Sequence, residues 1–136
     1  MIACAVVAVI LIVLTVNPIA MKPENTSEAY WEAGKQAVQI VQDYKDDKIT
    51  SQNTVDKLNV VLLSLPSTTP EEEVKGDDAQ AKAKASAVKA KDEHIRNCIH
   101  SVMYDIQYSI VASHIGGSGK SIDSDFAALK KAVGYQ

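Results

Sequence analysis

The sequence predicts an all-α protein, with an N-terminal transmembrane or signal helix followed by a three-helix bundle and a short fourth helix. After residue 27, apolar residues recur in steps of three and four, the spacing that lines one face of an α-helix. No segment shows sustained alternation of apolar and polar residues, so a β-sheet is not expected. The 136 residues are enough for one domain with one core.

The N-terminal leader carries no charged side chain, and every Lys, Arg, Asp and Glu follows Met21. A helix extended from Ile2 to Met21 rises about 30 Å, roughly the hydrocarbon thickness of a bilayer. We therefore predict a single-pass anchor at residues 1–21 that holds the rest of the chain outside the cytoplasm, at the cell membrane. Two alternatives stay open: a signal peptide cleaved near Pro18 and Ala20, which would release a secreted protein, and a buried core helix.

Charge and cysteine content narrow the range of functions. The formal net charge is −3, and no basic cluster is strong enough to hold a phosphate backbone, so we predict no nucleic-acid partner. Cys4 lies in the apolar leader and Cys98 in the longest helical pattern. A disulfide between them is not expected, and the two residues do not indicate a redox compartment.

A short linker at residues 22–26 is predicted to join the leader to a helical domain over residues 27–136. Thr26 or Ser27 can cap a first helix that runs to about Asp46. The apolar face of this helix is formed by Tyr30, Ala33, Ala37, Ile40, Val41 and Tyr44. Trp31 lies beside that face, where its ring can pack while its indole N–H stays in water.

A second helix is predicted over residues 51–65. Thr50 or Ser51 can cap its start, and Pro66 ends it. Its apolar face is formed by Val55, Leu58, Val61, Leu62 and Leu65. Because few residues join it to the first helix, the two helices are expected to pack as an antiparallel hairpin.

The turn of this hairpin is Tyr44-Lys45-Asp46-Asp47-Lys48-Ile49-Thr50, with Val55 and Leu58 following it. This segment resembles turns in uncharacterised small membrane-anchored or lipoprotein-like helical proteins of Gram-positive bacteria. The resemblance covers the hairpin and the C-terminal tail, and it implies no activity.

A third helix is predicted over residues 78–115, after a polar, acidic loop. Its first half, residues 79–91, is mainly Ala and Lys. Its second half carries an apolar stripe of Ile95, Ile99, Val102, Ile106 and Ile110. This helix is about 57 Å long, whereas the second is about 22 Å long. We therefore expect the Ala/Lys half to overhang, bend back or pair with another subunit, and we place self-association or binding of a protein partner there.

The side chains that could carry chemistry lie in this third helix, at Glu93, His94, Cys98, His100 and Asp105. His94 and Cys98 are four residues apart, a spacing at which two side chains can chelate zinc. His100 lies about 160° from Cys98 around the helix, and no second Cys/His pair follows. We therefore predict no catalytic, cofactor-binding or metal-binding residues. The alternative is a metal-dependent sensor or enzyme that uses His94, Cys98 and His100.

Gly119-Lys120-Ser121 matches the end of a phosphate-binding P-loop. The motif also requires Gly where His114 stands and a preceding strand, so no nucleotide partner is predicted. Gly116 is instead expected to end the third helix.

The fourth helix is predicted to start at Ser121 or Asp123 and to stop at Gly134. Its apolar face is formed by Phe126, Leu129 and Val133. We expect this helix to close an open end of the bundle.

These patterns predict a membrane-tethered interaction or structural module outside the cytoplasm, with no enzymatic activity. Its expected partners are the membrane, through residues 1–21, and a second copy or another protein, through the third helix. A secreted soluble helical effector and a metal-dependent sensor or enzyme are the alternatives.

Overall fold

The computed structural model describes residues 20–66 and 79–136. Within these stretches there are four helices and no strand, so the all-α prediction is confirmed there. The helices are α1 (Glu28–Lys45), α2 (Ser51–Ser64), α3 (Ala79–His114) and α4 (Asp123–Val133). None of the four is both long and apolar enough to cross a bilayer. The leader predicted at residues 1–21, apart from its last two residues, and the acidic loop lie outside the described residues.

The four helices form an up-down-up-down bundle. Helix α1 lies between α2 and α4 and also contacts α3 across the bundle, whereas α2 does not contact α4. Lys45 at the end of α1 forms an ion pair with Asp123 at the start of α4, with 2.6 Å between Nζ and Oδ1. Helix α4 therefore runs antiparallel to α1 and forms a side of the bundle. The expectation that it closes an open end of the bundle is corrected in this respect.

The core is built from the stripes that the sequence predicted. Ile95, Ile99, Val102 and Ile106 are at most 1% exposed, and Phe126, Leu129 and Val133 of α4 are also buried. On α1 the buried face is turned toward α4, so Gly34 and Val38 are buried while Ile40 and Tyr44 are half-buried. The reason is that α1 contacts three helices. Gly34 is required there because a Cβ would lie 2.6 Å from Cγ2 of Val133.

The helix ends follow local sequence signals in part. The Thr50 hydroxyl accepts a hydrogen bond from the Asn53 N–H at 3.2 Å, which caps α2 as predicted. Gly116, with φ of 73°, follows the end of α3, and Gly134, with φ of 91°, ends α4. Ser27 is the N-cap residue of α1, but its side chain makes no hydrogen bond to that helix.

Residues 22–26, predicted to be a linker, lie against the N-terminal half of α3. Together with Ser27 they line a shallow depression whose other wall is Lys84 and Val88. The Met21 N–H also donates to the Gly134 carbonyl at 3.2 Å. The chain that follows the leader is therefore held at one end of the bundle, beside the start of α3 and the end of α4.

Candidate interaction surface

Two long-range polar contacts fix α3 against the start of α1. The Asp92 carboxylate, which is 5% exposed, accepts the Ser27 N–H at 3.0 Å and the Ser27 hydroxyl at 2.7 Å. Arg96 donates to the Tyr30 hydroxyl at 2.8 Å and to the Pro66 carbonyl at 3.2 Å, and Tyr30 donates to that carbonyl at 2.7 Å. Burial raises the pKa of the Tyr30 phenol. These contacts, together with the buried isoleucine row, hold α3 in one orientation about its axis.

Trp31 makes a third long-range polar contact, which joins α1 to the end of α4. Its indole N–H donates to the Val133 carbonyl at 3.0 Å. The expectation that this group stays in water was wrong, because the predicted face of α1 did not include contact with the end of α4. The Lys35 ammonium lies over the face of the Trp31 ring, 3.7 Å from its centre, in a cation–π contact.

The His94 and Cys98 side chains lie together on α3, with 3.8 Å between Nε2 and Sγ. Cys98 is buried, and burial raises the pKa of its thiol, so the thiolate that a metal would bind is disfavoured. His100 points elsewhere and stacks on Tyr104, with 6.3 Å between ring centroids. Among residues 20–66 and 79–136, no three His, Cys, Asp or Glu side chains come together as metal ligands.

Asp105 joins α3 to α4 and to the loop between them. Its side chain is 5% exposed, and Oδ1 lies 2.7 Å from the Lys120 ammonium. Its buried Oδ2 accepts no hydrogen bond from the described part of the chain, and the neighbouring group is the Asp125 carboxyl. Hydrogen bonding with Asp105, with desolvation, raises the pKa of Asp125, because a proton held there supplies the missing donor.

This carboxyl pair predicts a pH dependence of stability. Because the folded state holds the Asp125 proton more tightly than the unfolded chain, its contribution is present at acidic pH and is lost as pH rises through the raised pKa. Asp123 has the opposite sign, since its ion pair with Lys45 lowers its pKa. Asp125→Asn is therefore expected to have a higher Tm than Asp123→Asn at pH 7, and the gap is expected to narrow toward pH 4.

Thermal unfolding followed by circular dichroism across that pH range measures the difference. Both residues lie in the first turn of α4, so both variants lose the same favourable contact with the helix dipole, and the difference in Tm reports the carboxyl pair together with the Lys45–Asp123 ion pair. Equal Tm values at pH 7 would contradict the opposite contributions expected of Asp123 and Asp125.

The largest exposed apolar side chains of α3 line its outer face. Tyr104, Tyr108, Val111 and Ile115, which follows the end of the helix, are 64%, 59%, 60% and 79% exposed. They follow one another in steps of four, three and four, so they form one row. This row lies on the side of α3 opposite the buried isoleucines.

The same steps continue toward the start of α3 without interruption. They pass through Ala83, Ala87, Ala90, His94, Asn97 and Ser101. All of these are exposed except Ala87, which is half-buried, and none is an Asp, Glu, Lys or Arg. We call the complete row from Ala83 to Ile115 the α3 seam. It is about 48 Å long.

The α3 seam only partly matches the surface that the sequence predicted. Association was expected on the Ala/Lys half at residues 79–91, whereas the large exposed apolar side chains lie in the other half. The signal was present in the sequence as a second row at steps of three and four. It was missed because the isoleucine row accounted for the periodicity of the same helix.

The comparisons with known proteins identify no family for this chain. No protein-family model matches it, and neither does a curated protein or a solved structure.

Proposed function

We propose that this chain is a membrane-tethered interaction module outside the cytoplasm, without catalytic activity, and that it binds its partner through the α3 seam. The observation that carries the proposal is the seam itself, an exposed row that is uncharged from Ala83 to Ile115. Surfaces of small soluble domains are ordinarily about one-quarter to one-third charged, with both signs interspersed.

The exposed tyrosines and aliphatic residues support binding on energetic grounds. Tyr104, Tyr108, Val111 and Ile115 together expose apolar area on the order of 400–500 Å², the size of patch that marks interaction sites on monomers. Each Å² removed from water contributes roughly 25 cal/mol. Tyr is also enriched at the centres of protein interfaces, where its ring packs and its hydroxyl finds a partner.

The tether is supported by the uncharged leader and by the way the chain enters the bundle. Residues 1–21 carry no charged side chain, and the hydrogen bond from Met21 to Gly134 shows that the bundle begins at the last of them. Few residues therefore separate the proposed anchor from the bundle. The start of α3 would lie close to the bilayer, and Ile115 would lie at the far end.

Labelling from outside intact cells tests this proposal. The full chain carries Cys4→Ser and Cys98→Ala, and a single thiol is introduced at exposed Ala128 of α4 as Ala128→Cys. A membrane-impermeant maleimide is expected to label this variant in intact cells, with the label in the membrane fraction. The matched control is the chain without the new thiol. Labelling only after permeabilisation would contradict the proposal, and labelled protein in the medium would favour the secreted effector.

A further inference from the structure

We propose that the α3 seam is the interface of a homodimer, in which the α3 helices of two copies pack in parallel around a two-fold axis. This inference rests on the proposed function, because it names a second copy of this chain as the partner of the same surface.

The charge distribution of α3 favours a second copy. In a two-fold interface each residue meets its own symmetry mate or a near neighbour, so a charged residue in the row would meet a like charge. The charged residues of α3 all lie outside the seam, among them Lys84, Lys91 and Glu93. A row without charge over about 48 Å is suited to meeting itself, and it offers no charge to a partner of opposite sign.

The spacing of the seam is that of a two-stranded coiled coil. Steps of four and three alternate throughout, so Tyr108 and Ile115 occupy one core position of the heptad and Tyr104 and Val111 occupy the other. In a parallel pair, like positions meet, and Tyr108 faces Tyr108 of the second copy. Asn97 would then meet its own mate, and an Asn pair at a core position fixes the register of such pairs.

The point at which the leader joins the bundle sets the direction of pairing. Residues 22–27 lie against Lys84 and Val88, and Met21 is hydrogen-bonded to Gly134, so the leader enters at the N-terminal end of α3. Two copies anchored in one bilayer both turn this end toward the membrane. Their α3 helices then point the same way, and an axis perpendicular to the membrane relates them.

The area of the seam is small for a stable dimer, so we expect the dimer to be stabilised by the membrane anchor. Its four large side chains would bury on the order of 900 Å² in total, somewhat below the roughly 1,200 Å² of a specific stable interface. The alanine half adds to this area because small side chains permit close approach. Confinement of both copies to one membrane raises their effective concentration, which strengthens a pairing of this size.

Cysteine cross-linking in isolated membranes tests the dimer and its direction. The full chain carries Cys4→Ser and Cys98→Ala, and one thiol is introduced at a time, as Tyr104→Cys or Val111→Cys, with Ala128→Cys on exposed α4 as the matched control. After mild oxidation, each seam variant is expected to form several-fold more disulfide-linked dimer than the control. Cross-linking at neither position overturns the proposal. Cross-linking only when Tyr104→Cys is co-expressed with Tyr108→Cys also overturns it, because the two different core positions of the heptad face each other in an antiparallel pair.

The leader is the other candidate occupant, and Cys4 reports on it. When Cys4 is restored in the Val111→Cys variant, a disulfide within one chain would show that the leader covers the seam and would overturn the dimer. The labelling experiment separates the two proposals. A chain labelled from outside that gives no seam cross-link contradicts only the dimer, whereas a cross-linked chain that is not labelled contradicts only the location of the bundle outside the cytoplasm.

A charge placed in the seam gives an independent test of pairing. Val111→Glu would bring two carboxylates together, so it is expected to weaken dimerisation of the detergent-solubilised full chain by at least about tenfold. Leu63→Glu is the matched control, since Leu63 is an apolar residue of α2 that is 77% exposed. Sedimentation equilibrium measures both variants. Equal dissociation constants for Val111→Glu and the unmodified chain would contradict the seam as the interface.

Discussion

Replacing Ile99 with alanine is expected to lower the free energy of unfolding by about 2–5 kcal/mol. Ile99 is fully buried at the centre of the core face of α3, and α3 is in contact with each of the other three helices. The substitution removes buried methyl groups and leaves a cavity that three packed helices cannot readily collapse to fill. Urea unfolding of the full chain in detergent, followed by circular dichroism, measures the loss.

The control for this prediction is Leu63→Ala. Leu63 lies on the outer face of α2 and is 77% exposed, so its truncation is expected to change the free energy of unfolding by less than about 0.5 kcal/mol. Similar losses for the two variants would mean that the row of isoleucines is not the core of the bundle.

The position of Ile99 was predictable because the signal is local. The isoleucine row lies within one helix, and its steps of three and four define a face without reference to any other part of the chain. The same holds for the caps and stops at Thr50, Gly116 and Gly134, each of which acts on the neighbouring turn. These features account for the agreement between the predicted and observed helices.

The contacts between helices were not predictable in the same way. The buried face of α1 is turned toward α4 and includes Val38 and Gly34, and its direction depends on a helix that begins 78 residues after Lys45. Asp105 and Asp125 similarly meet only after α3 and α4 have packed. The periodicity of a segment indicates which of its residues share an apolar face. Which helix packs on that face depends on the tertiary fold.

The α3 seam was predictable in part. The spacing of its residues can be read within one helix, but their exposure to solvent depends on how the other helices pack. Rows that include Ile99 and Tyr104 recur at the same steps on opposite sides of one helix, and the more apolar isoleucine row is the buried one. The contacts of Asp92 with Ser27 and of Arg96 with Tyr30 hold α3 in that orientation. That the tyrosine row stays exposed depends on how the other three helices pack, which the periodicity of α3 does not reveal.

Asp92→Ala is expected to lower the free energy of unfolding by about 2–3 kcal/mol, an effect comparable to that of Ile99→Ala. The Asp92 carboxylate accepts both the N–H and the hydroxyl of Ser27 from 65 residues away, in a site where it is 5% exposed. Its removal leaves both donors without their acceptor at the start of α1, and a carboxylate also stabilises the positive end of that helix. The adjacent Glu93 is exposed, so Glu93→Ala is the matched control and is expected to change stability by less than about 0.5 kcal/mol.

Hydrogen exchange gives this prediction a local readout. The Ser27 amide is expected to exchange faster in Asp92→Ala than in Glu93→Ala, because its acceptor is lost while the rest of α1 keeps its internal hydrogen bonds. Asp92→Asn keeps one carbonyl oxygen and is expected to fall between the two. If the Ser27 amide is equally protected in all three variants, Asp92 does not cap α1. The orientation of α3, and with it the exposure of the α3 seam, would then have to depend on Arg96 and the apolar core alone.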